Sequence, residues 1–175
     1  MKRRTLLQSI APLFAVSLLP ACSKANPPGA AGAPSADINP LKKSDAEWKQ
    51  ILKPDAYGVL FEEDTERAGS SPLNAEHGAG TFVCAACYLP LFDSTAKFES
   101  GTGWPSFTQP IAGHVDTKRD FKIVIPRTEY HCVRCGGHQG HLFDDGPQPR
   151  GQRWCNNGLA LNFVAKGEEL PALRS

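Results

Sequence analysis

Two Cys-x-x-Cys pairs constrain this chain more than any other feature: Cys84-Ala-Ala-Cys87 and Cys132-Val-Arg-Cys135. A two-residue spacer suits a tight turn with both sulfurs on one side. Two such pairs can therefore complete a tetrahedral metal site. The 44 residues between the pairs exceed the usual spacing within a zinc finger or ribbon. An ion held this way pins together two hairpins that are distant in sequence. Zinc is the first expectation, with iron as the softer alternative. Disulfides and a redox-active Cys-x-x-Cys are the competing readings. Tyr88-Leu89-Pro90 after the first pair does not read as the helix start that a thioredoxin-like motif needs. No His follows either pair, which excludes c-type haem attachment.

The start of the chain reads as an address. Lys2, Arg3 and Arg4 precede a mostly apolar run from Leu6 to Leu19, broken by Gln8, Ser9 and Pro12. That run is too short and interrupted to span a bilayer, which takes about 20 apolar residues. Residues 1–21 are expected to be a signal peptide. Arg3-Arg4-Thr5-Leu6-Leu7-Gln8 resembles a twin-arginine export signal. Leu19-Pro20-Ala21-Cys22 resembles a bacterial lipobox, which makes Cys22 a lipidation site; the alternative is an unmodified thiol beside an ordinary cleavage point. The expected product is exported and membrane-anchored, facing the periplasm or the cell exterior. Export also strengthens the disulfide reading of the cysteine pairs. The formal charge of +1 gives no global field for nucleic acid, and loss of the leader removes three cations. Membrane attachment is then expected through lipid alone. Residues 22–40, rich in Pro, Gly and Ala, cannot bury enough surface to order themselves and read as a flexible tether.

The domain is expected over 41–167, with 168–175 as a C-terminal tail. Ser44-Asp45-Ala46-Glu47 is a capping-box pattern that predicts a short helix through Leu52, stopped by Pro54. Asp55 to Glu63 is a second helical candidate, weakened by Gly58. Thr65 to Gly80 reads as loop. Short β-prone runs follow, punctuated by Gly and Pro: Phe82-Val83, Leu91-Phe92, Phe121 to Ile125, Tyr130 to Val133, His141 to Phe143 and Leu159 to Val164. Lys122-Ile123-Val124-Ile125 is the clearest of them. The expected fold is mainly β and antiparallel, with short N-terminal helices.

With Cys22 assigned to lipid and four cysteines to metal, Cys155 is the one free thiol, a candidate nucleophile. A small buried hydrophobe is the bland alternative. Arg153, two residues away, shares its side of a strand and can stabilise a thiolate. Trp154 takes the opposite, core-facing side. His138 and His141, set among glycines, read as a turn carrying two groups able to move protons near neutral pH; rival metal ligation is their alternative role. Asp144 and Asp145 make a turn before Gly146-Pro147, or orient one of the histidines. The segment Ser100 to Phe107 presents Trp104 on a Gly-rich loop, where an indole can hold a methyl or thioether group.

Five segments in register carry a resemblance. They are Gly80 to Cys87, Ser100 to Phe107, Arg127 to Cys135, Gly140 to Pro147, and Arg153-Trp154-Cys155-Asn156-Asn157. Together they resemble the methionine-R-sulfoxide reductase family, B type, from about Leu41 to Gly167. The resemblance implies two small antiparallel sheets and a structural zinc on Cys84, Cys87, Cys132 and Cys135. It implies Cys155 as nucleophile and Trp104 against the substrate methyl. It places His138, His141, Asp145, Arg153 and Asn157 around the reacting sulfur and oxygen. Methionine sulfoxide is a polar, chiral lesion of an apolar side chain, with a separate enzyme for each epimer. Protein-bound and free sulfoxide are both expected substrates.

The departures are specific. Many members of that family carry a second, resolving cysteine where this chain has Thr102. A thioredoxin-like protein or a small thiol is therefore expected to recycle Cys155 directly. Asp120 to Pro126 is apolar where the family often has Ser-His-Gly-Met, and Trp154 and Asn156 replace common Tyr and Ile neighbours of the nucleophile. Two other functions compete: a zinc-stapled binding module, and a thiol–disulfide exchanger using the Cys-x-x-Cys pairs.

Overall fold

A computed structural model describes residues 38–122 and 126–175. The signal reading, Cys22 and most of the tether lie outside the described residues, as do residues 123–125. The first helix, α1 (Asp45–Ile51), begins where the capping box predicts. The Ser44 hydroxyl accepts from the Glu47 amide, and the Glu47 carboxylate accepts from the Ser44 amide at 2.7 Å. Pro54 does more than end this helix: it opens α2 (Pro54–Phe61), where its missing N–H costs nothing. Trp48 of α1 stacks on Phe61 of α2 with ring centroids 4.9 Å apart. Among the described residues, no helix is long and apolar enough to cross a membrane.

The rest is two antiparallel sheets. The smaller joins β1 (Gly80–Cys84), β2 (Pro90–Asp93) and β9 (Leu161–Ala165) in the order β2-β1-β9. The larger uses β3 (Lys97–Phe98), β4 (Ser106–Phe107), β5 (Val115–Asp120), β6 (Arg127–Cys132), β7 (His138–Phe143) and β8 (Arg153–Asn156). Its order is β3-β4-β8-β7-β6-β5. A line of aromatic rings fills the space between the sheets. Phe82 meets Phe107 edge-on at 5.0 Å, Phe107 stacks on Phe92 at 4.1 Å, and Tyr130 meets Trp154 edge-on at 5.0 Å. Each ring is buried, and such contacts add to the area they remove from water.

Register then decides which residues share the other face of the larger sheet. Ser106, Cys155, His141, Glu129 and Lys118 lie opposite one another across five strands. Because successive residues alternate faces, Trp154, Leu142 and Tyr130 point to the core while this polar row points away. Tyr130, Gly140 and Asn156 also align in register, and the Tyr130 hydroxyl donates to Asn156 Oδ1 at 2.7 Å. A Cβ on Gly140 would sit 1.9 Å from the Cys155 carbonyl oxygen, so no side chain fits between them.

One sequence expectation is corrected. The strand expected from His141 begins earlier, at His138, so His138 is not on a turn, and the glycine-rich turn precedes it at Gly136-Gly137. The strand expected over Phe121 to Ile125 falls mostly on residues 123–125, outside the described residues; Phe121 itself is 71% exposed. The described strand before it, Val115–Asp120, pairs with β6 at the edge of the larger sheet. Its Asp116, Lys118 and Arg119 discourage further pairing there.

Replacing Tyr130 with Phe leaves the buried Asn156 carbonyl without its hydroxyl donor. We expect about 1–3 kcal/mol of destabilisation in urea unfolding; a change below about 0.5 kcal/mol would show that this bond does not hold the sheet.

Candidate active site and metal centre

The four paired cysteines converge. Each pair ends one strand of a hairpin: Cys84 closes β1 before β2, and Cys132 closes β6 before β7. The two turns match. Tyr88 N–H donates to the Cys84 carbonyl at 2.9 Å and Gly136 N–H to the Cys132 carbonyl at 2.9 Å. Both Tyr88 (φ 64°) and Gly136 (φ 73°) take the left-handed conformation that tightens the turn. The four sulfurs lie within 4.8 Å of one another. Cys84 is 3.7 Å from Cys135 and Cys87 is 3.5 Å from Cys132, sulfur to sulfur. A disulfide requires about 2.05 Å. A tetrahedral ion with metal–sulfur bonds of about 2.3 Å spaces its sulfurs by about 3.8 Å. The donor set therefore fits a thiolate-bound metal. The buried Gln139 amide adds a donor, 3.6 Å from Cys84 Sγ, where a thiolate benefits from one.

The 170–174 stretch packs back on the first pair. Arg174 N–H and the Arg134 guanidinium both donate to the Cys87 carbonyl, at 3.2 and 3.4 Å. The Arg174 guanidinium lies 4.2 Å above the Tyr88 ring and donates to its hydroxyl.

Cys155 stands apart from this cluster, on β8 between β4 and β7. A cavity of about 220 Å³ opens beside it, lined also by Trp104, His141, Phe143, Arg127 and Asn157. Trp104 is fixed by its indole N–H, which donates to the Glu66 carbonyl at 3.1 Å. Asn157 is committed on both ends. It accepts from Glu66 N–H at 3.1 Å and donates to the Gln139 carbonyl at 3.1 Å. Glu66 also accepts from the amides of Gly158 and Leu159, at 2.6 and 2.9 Å. One buried acid thus ties the indole, the Asn157 side chain and the short helical turn Gly158–Ala160 together.

Charge on this face comes in pairs. Arg153 reaches Asp145 through two parallel bonds, Nε at 2.7 Å and an Nη at 2.8 Å, and lies 4.2 Å above the Phe143 ring. The Asp145 carboxyl is held below its ordinary range by that guanidinium. Asp145 therefore orients Arg153 and not a histidine. The histidines have other partners. His141 Nε2 is 2.8 Å from Asp120, and His138 Nδ1 is 2.8 Å from Glu129. Asp120 lies well below the usual carboxylate range because the Lys122 amide, then His141 and Arg127, donate to it. Burial pushes Glu129 up, but bonds from His138 and Lys118 outweigh it, so its pKa is lowered overall. His141 is pushed down, mainly by burial, although Asp120 opposes that shift.

Cys155 departs from the sequence expectation. Arg153 does favour the thiolate, as do hydrogen bonds with Thr102 and Ser106. Burial outweighs all three, so the thiol is pushed up. Ser100, Thr102 and Ser106 form a hydroxyl cluster in this loop, with Ser100 Oγ 2.8 Å from each of the other two oxygens. Among the described residues, the other free thiols are the four of the metal cluster.

The cavity thus joins Cys155, His141, Trp104 and Asn157. Arg153 stands two residues from Cys155 on the same strand. His138 stands behind His141, ring centroids 5.4 Å apart, and does not line the cavity. Asp145 does not line it either. Sequence reasoning gave no role to Asp120, Glu129, Glu66, Ser106 or Phe143. Opposite charges seven residues apart, Asp120 and Arg127, were the available hint of a hairpin crossing the site.

A domain family described as "SelR domain" matches residues 52–165. The "Peptide methionine sulfoxide reductase MsrB" of Bradyrhizobium diazoefficiens is 50% identical over 125 residues, 71% of this chain and 90% of that protein. The protein of the same description from Leptospira interrogans is 48% identical, covering 70% of this chain and 95% of its own. The "Peptide methionine sulfoxide reductase B1, chloroplastic" of Arabidopsis thaliana is 46% identical over 70% of this chain and 61% of its own.

Alkylation of Cys155 by iodoacetamide should rise with pH and reach half-maximum above the ordinary thiol value of about 8.5. Arg153→Gln removes a stabilising cation and should move that midpoint higher still. A midpoint below 8 in the native protein would reverse the balance between burial and charge.

Proposed function

From the premise that this chain belongs to the peptide methionine sulfoxide reductase B family, we propose that it reduces the R epimer of methionine sulfoxide with Cys155 as nucleophile. The supporting observation is that one thiol opens on a cavity beside an indole and an imidazole, while the other four sulfurs are gathered elsewhere. The substrate is methionine sulfoxide in proteins, and also the free amino acid. Trp104 and Phe143 offer apolar surface for the methyl and thioether carbons. Three distinct anchors for methyl, oxygen and sulfur are what selection of one epimer requires.

The reaction balances within these residues. The Cys155 proton passes to His141 as the sulfur attacks the sulfoxide sulfur. His141 returns that proton to the sulfoxide oxygen, which avoids expelling an oxide. The hydroxyl transfers to Cys155 as the thioether departs, leaving a sulfenic acid. Because the thiol rests above its ordinary pKa and the histidine below its own, the first transfer is uphill at rest and is drawn forward by attack on the sulfoxide sulfur, while the charged imidazole is a ready acid toward the oxygen. Arg153, oriented by Asp145, stabilises the sulfur while it is anionic. Thr102 beside Cys155 offers no thiol, so an external thiol or a thioredoxin-like protein reduces the sulfenic acid. Two reductant thiols become a disulfide and water leaves.

Zinc is the proposed occupant of the four-cysteine site, where it supplies structural cross-linking and no chemistry. The gathering of all four as free thiols within 4.8 Å of one another disfavours the exchanger reading, which calls for two separate pairs. The cavity beside Cys155 disfavours a binding module with an incidental thiol.

Chromatography of the resolved epimers with dithiothreitol should show conversion of the R form alone, with metal analysis giving one zinc per chain. Cys155→Ser should lose activity by about 10³-fold or more while keeping its zinc. Activity retained by that variant would overturn the assignment. We further propose that the protein is exported and anchored through lipid on Cys22, a reading supported by the leader and lipobox-like sequence. Palmitate labelling should be lost in Cys22→Ala; labelling that persists would refute it.

A further inference from the structure

We infer that Asp120 is the positioning residue that makes Nδ1 of His141 the proton-transfer atom, while Glu129 fixes His138 in the opposite tautomer. The inference rests on the reductase reading and settles which of two adjacent imidazoles, and which nitrogen, moves the proton.

A carboxylate can only accept, so each imidazole nitrogen that meets one carries hydrogen. His141 meets Asp120 through Nε2, and His138 meets Glu129 through Nδ1. A neutral ring has one hydrogen, which leaves a bare Nδ1 on His141 and a bare Nε2 on His138. The two carboxylates thus set the two rings in opposite senses, although the rings are neighbours on one strand. Only His141 borders the cavity that holds Cys155, and these two residues are paired in register between β7 and β8. The bare Nε2 of His138 is buried without a partner and away from the cavity lining. It is placed to support its neighbour and not to reach a substrate.

Asp120 is itself held on several sides, as an orienting group must be. The Lys122 amide donates to its Oδ1 at 2.8 Å, and an Arg127 Nη donates to Oδ2 at 2.6 Å, the same oxygen that receives His141. The titratable and charged groups near His141 are Asp120 from β5, Glu129 and Arg127 from β6, His138 on its own strand, and Cys155 from β8. Arg127 and the low-dielectric surroundings favour the neutral ring, and Asp120 is the counterweight. Asp120 therefore has two separable effects: it orients the ring, and it lifts the pH at which the ring protonates. Positioning carboxylates behind a proton-carrying histidine are worth roughly 10²–10⁴-fold in rate.

Long-range proton–nitrogen correlation spectra of the substrate-free protein near pH 7 should show His141 protonated at Nε2 and His138 at Nδ1. In Asp120→Ala, kcat should fall by roughly 100-fold or more with KM little changed. His141 should lose its single tautomer while His138 keeps its own. The acidic limb of kcat/KM should move to lower pH, because the ring loses the group that favours its protonated form. Asp120→Asn, which keeps the size but turns one of two accepting oxygens into a donor, should also lose kcat and the single His141 tautomer, and serves if the alanine variant does not fold. A resting His141 protonated at Nδ1, or folded Asp120 variants with native kcat and an unchanged acidic limb, would overturn the inference. Absence of R-sulfoxide reduction by the native protein would instead remove the reductase reading, so the two failures are distinct.

Discussion

Four sulfurs meeting at one point hold this fold in its shape. The smaller sheet supplies two from the end of β1, and the larger supplies two from the end of β6. Neither sheet has much area of its own, and a line of aromatic rings packs between them. A metal in that site binds the folded chain and not the open one, so its affinity becomes folding free energy. The rest follows by register. Once the second cysteine turn is fixed, β7 leaves it at a set height. β7 then places His141 opposite Cys155. The paired cysteines thus govern the placement of Cys155 without touching it.

The polar face of the larger sheet shows how burial and charge divide their effects. Carboxylates there stay ionised because each accepts several donors, and the arginines beside them are spoken for. Cys155 receives less help: one guanidinium and two hydroxyls do not offset its removal from water. A resting thiol of this kind resists indiscriminate oxidation, since the thiolate is the reactive form. The family membership and the cavity beside Cys155 together make that restraint intelligible.

Much of this was readable from residues alone, and the reason is locality. The capping box, the two cysteine pairs and the alternation of Arg153, Trp154 and Cys155 each lie within a few neighbours, where rules of spacing apply directly. β5 shows where such rules fail. Its stretch Val115–Asp120 is mostly charged and polar, yet pairing with β6 makes it a strand, because an edge strand answers to one partner and to solvent. Asp120 escaped notice for a related reason: it stands 21 residues from His141, and only the β5–β6–β7 register brings them together. Glu66 joins Trp104 and Asn157 across 38 and 91 residues. No motif spans such distances. Proximity in sequence suggests a turn at Asp144 and Asp145, or one of them orienting a histidine, whereas the geometry of Asp145 matches a guanidinium.

The placement of β9 and of Arg174 carries a consequence for what keeps the first cysteine turn in shape. All four sulfurs that can hold an ion lie in the chain up to Cys135, but β1 takes its β9 neighbour and the Cys87 carbonyl its Arg174 donor from residues up to forty positions further on. A change at Arg174 would leave every sulfur in place and still loosen the turn in which Tyr88 takes its left-handed conformation.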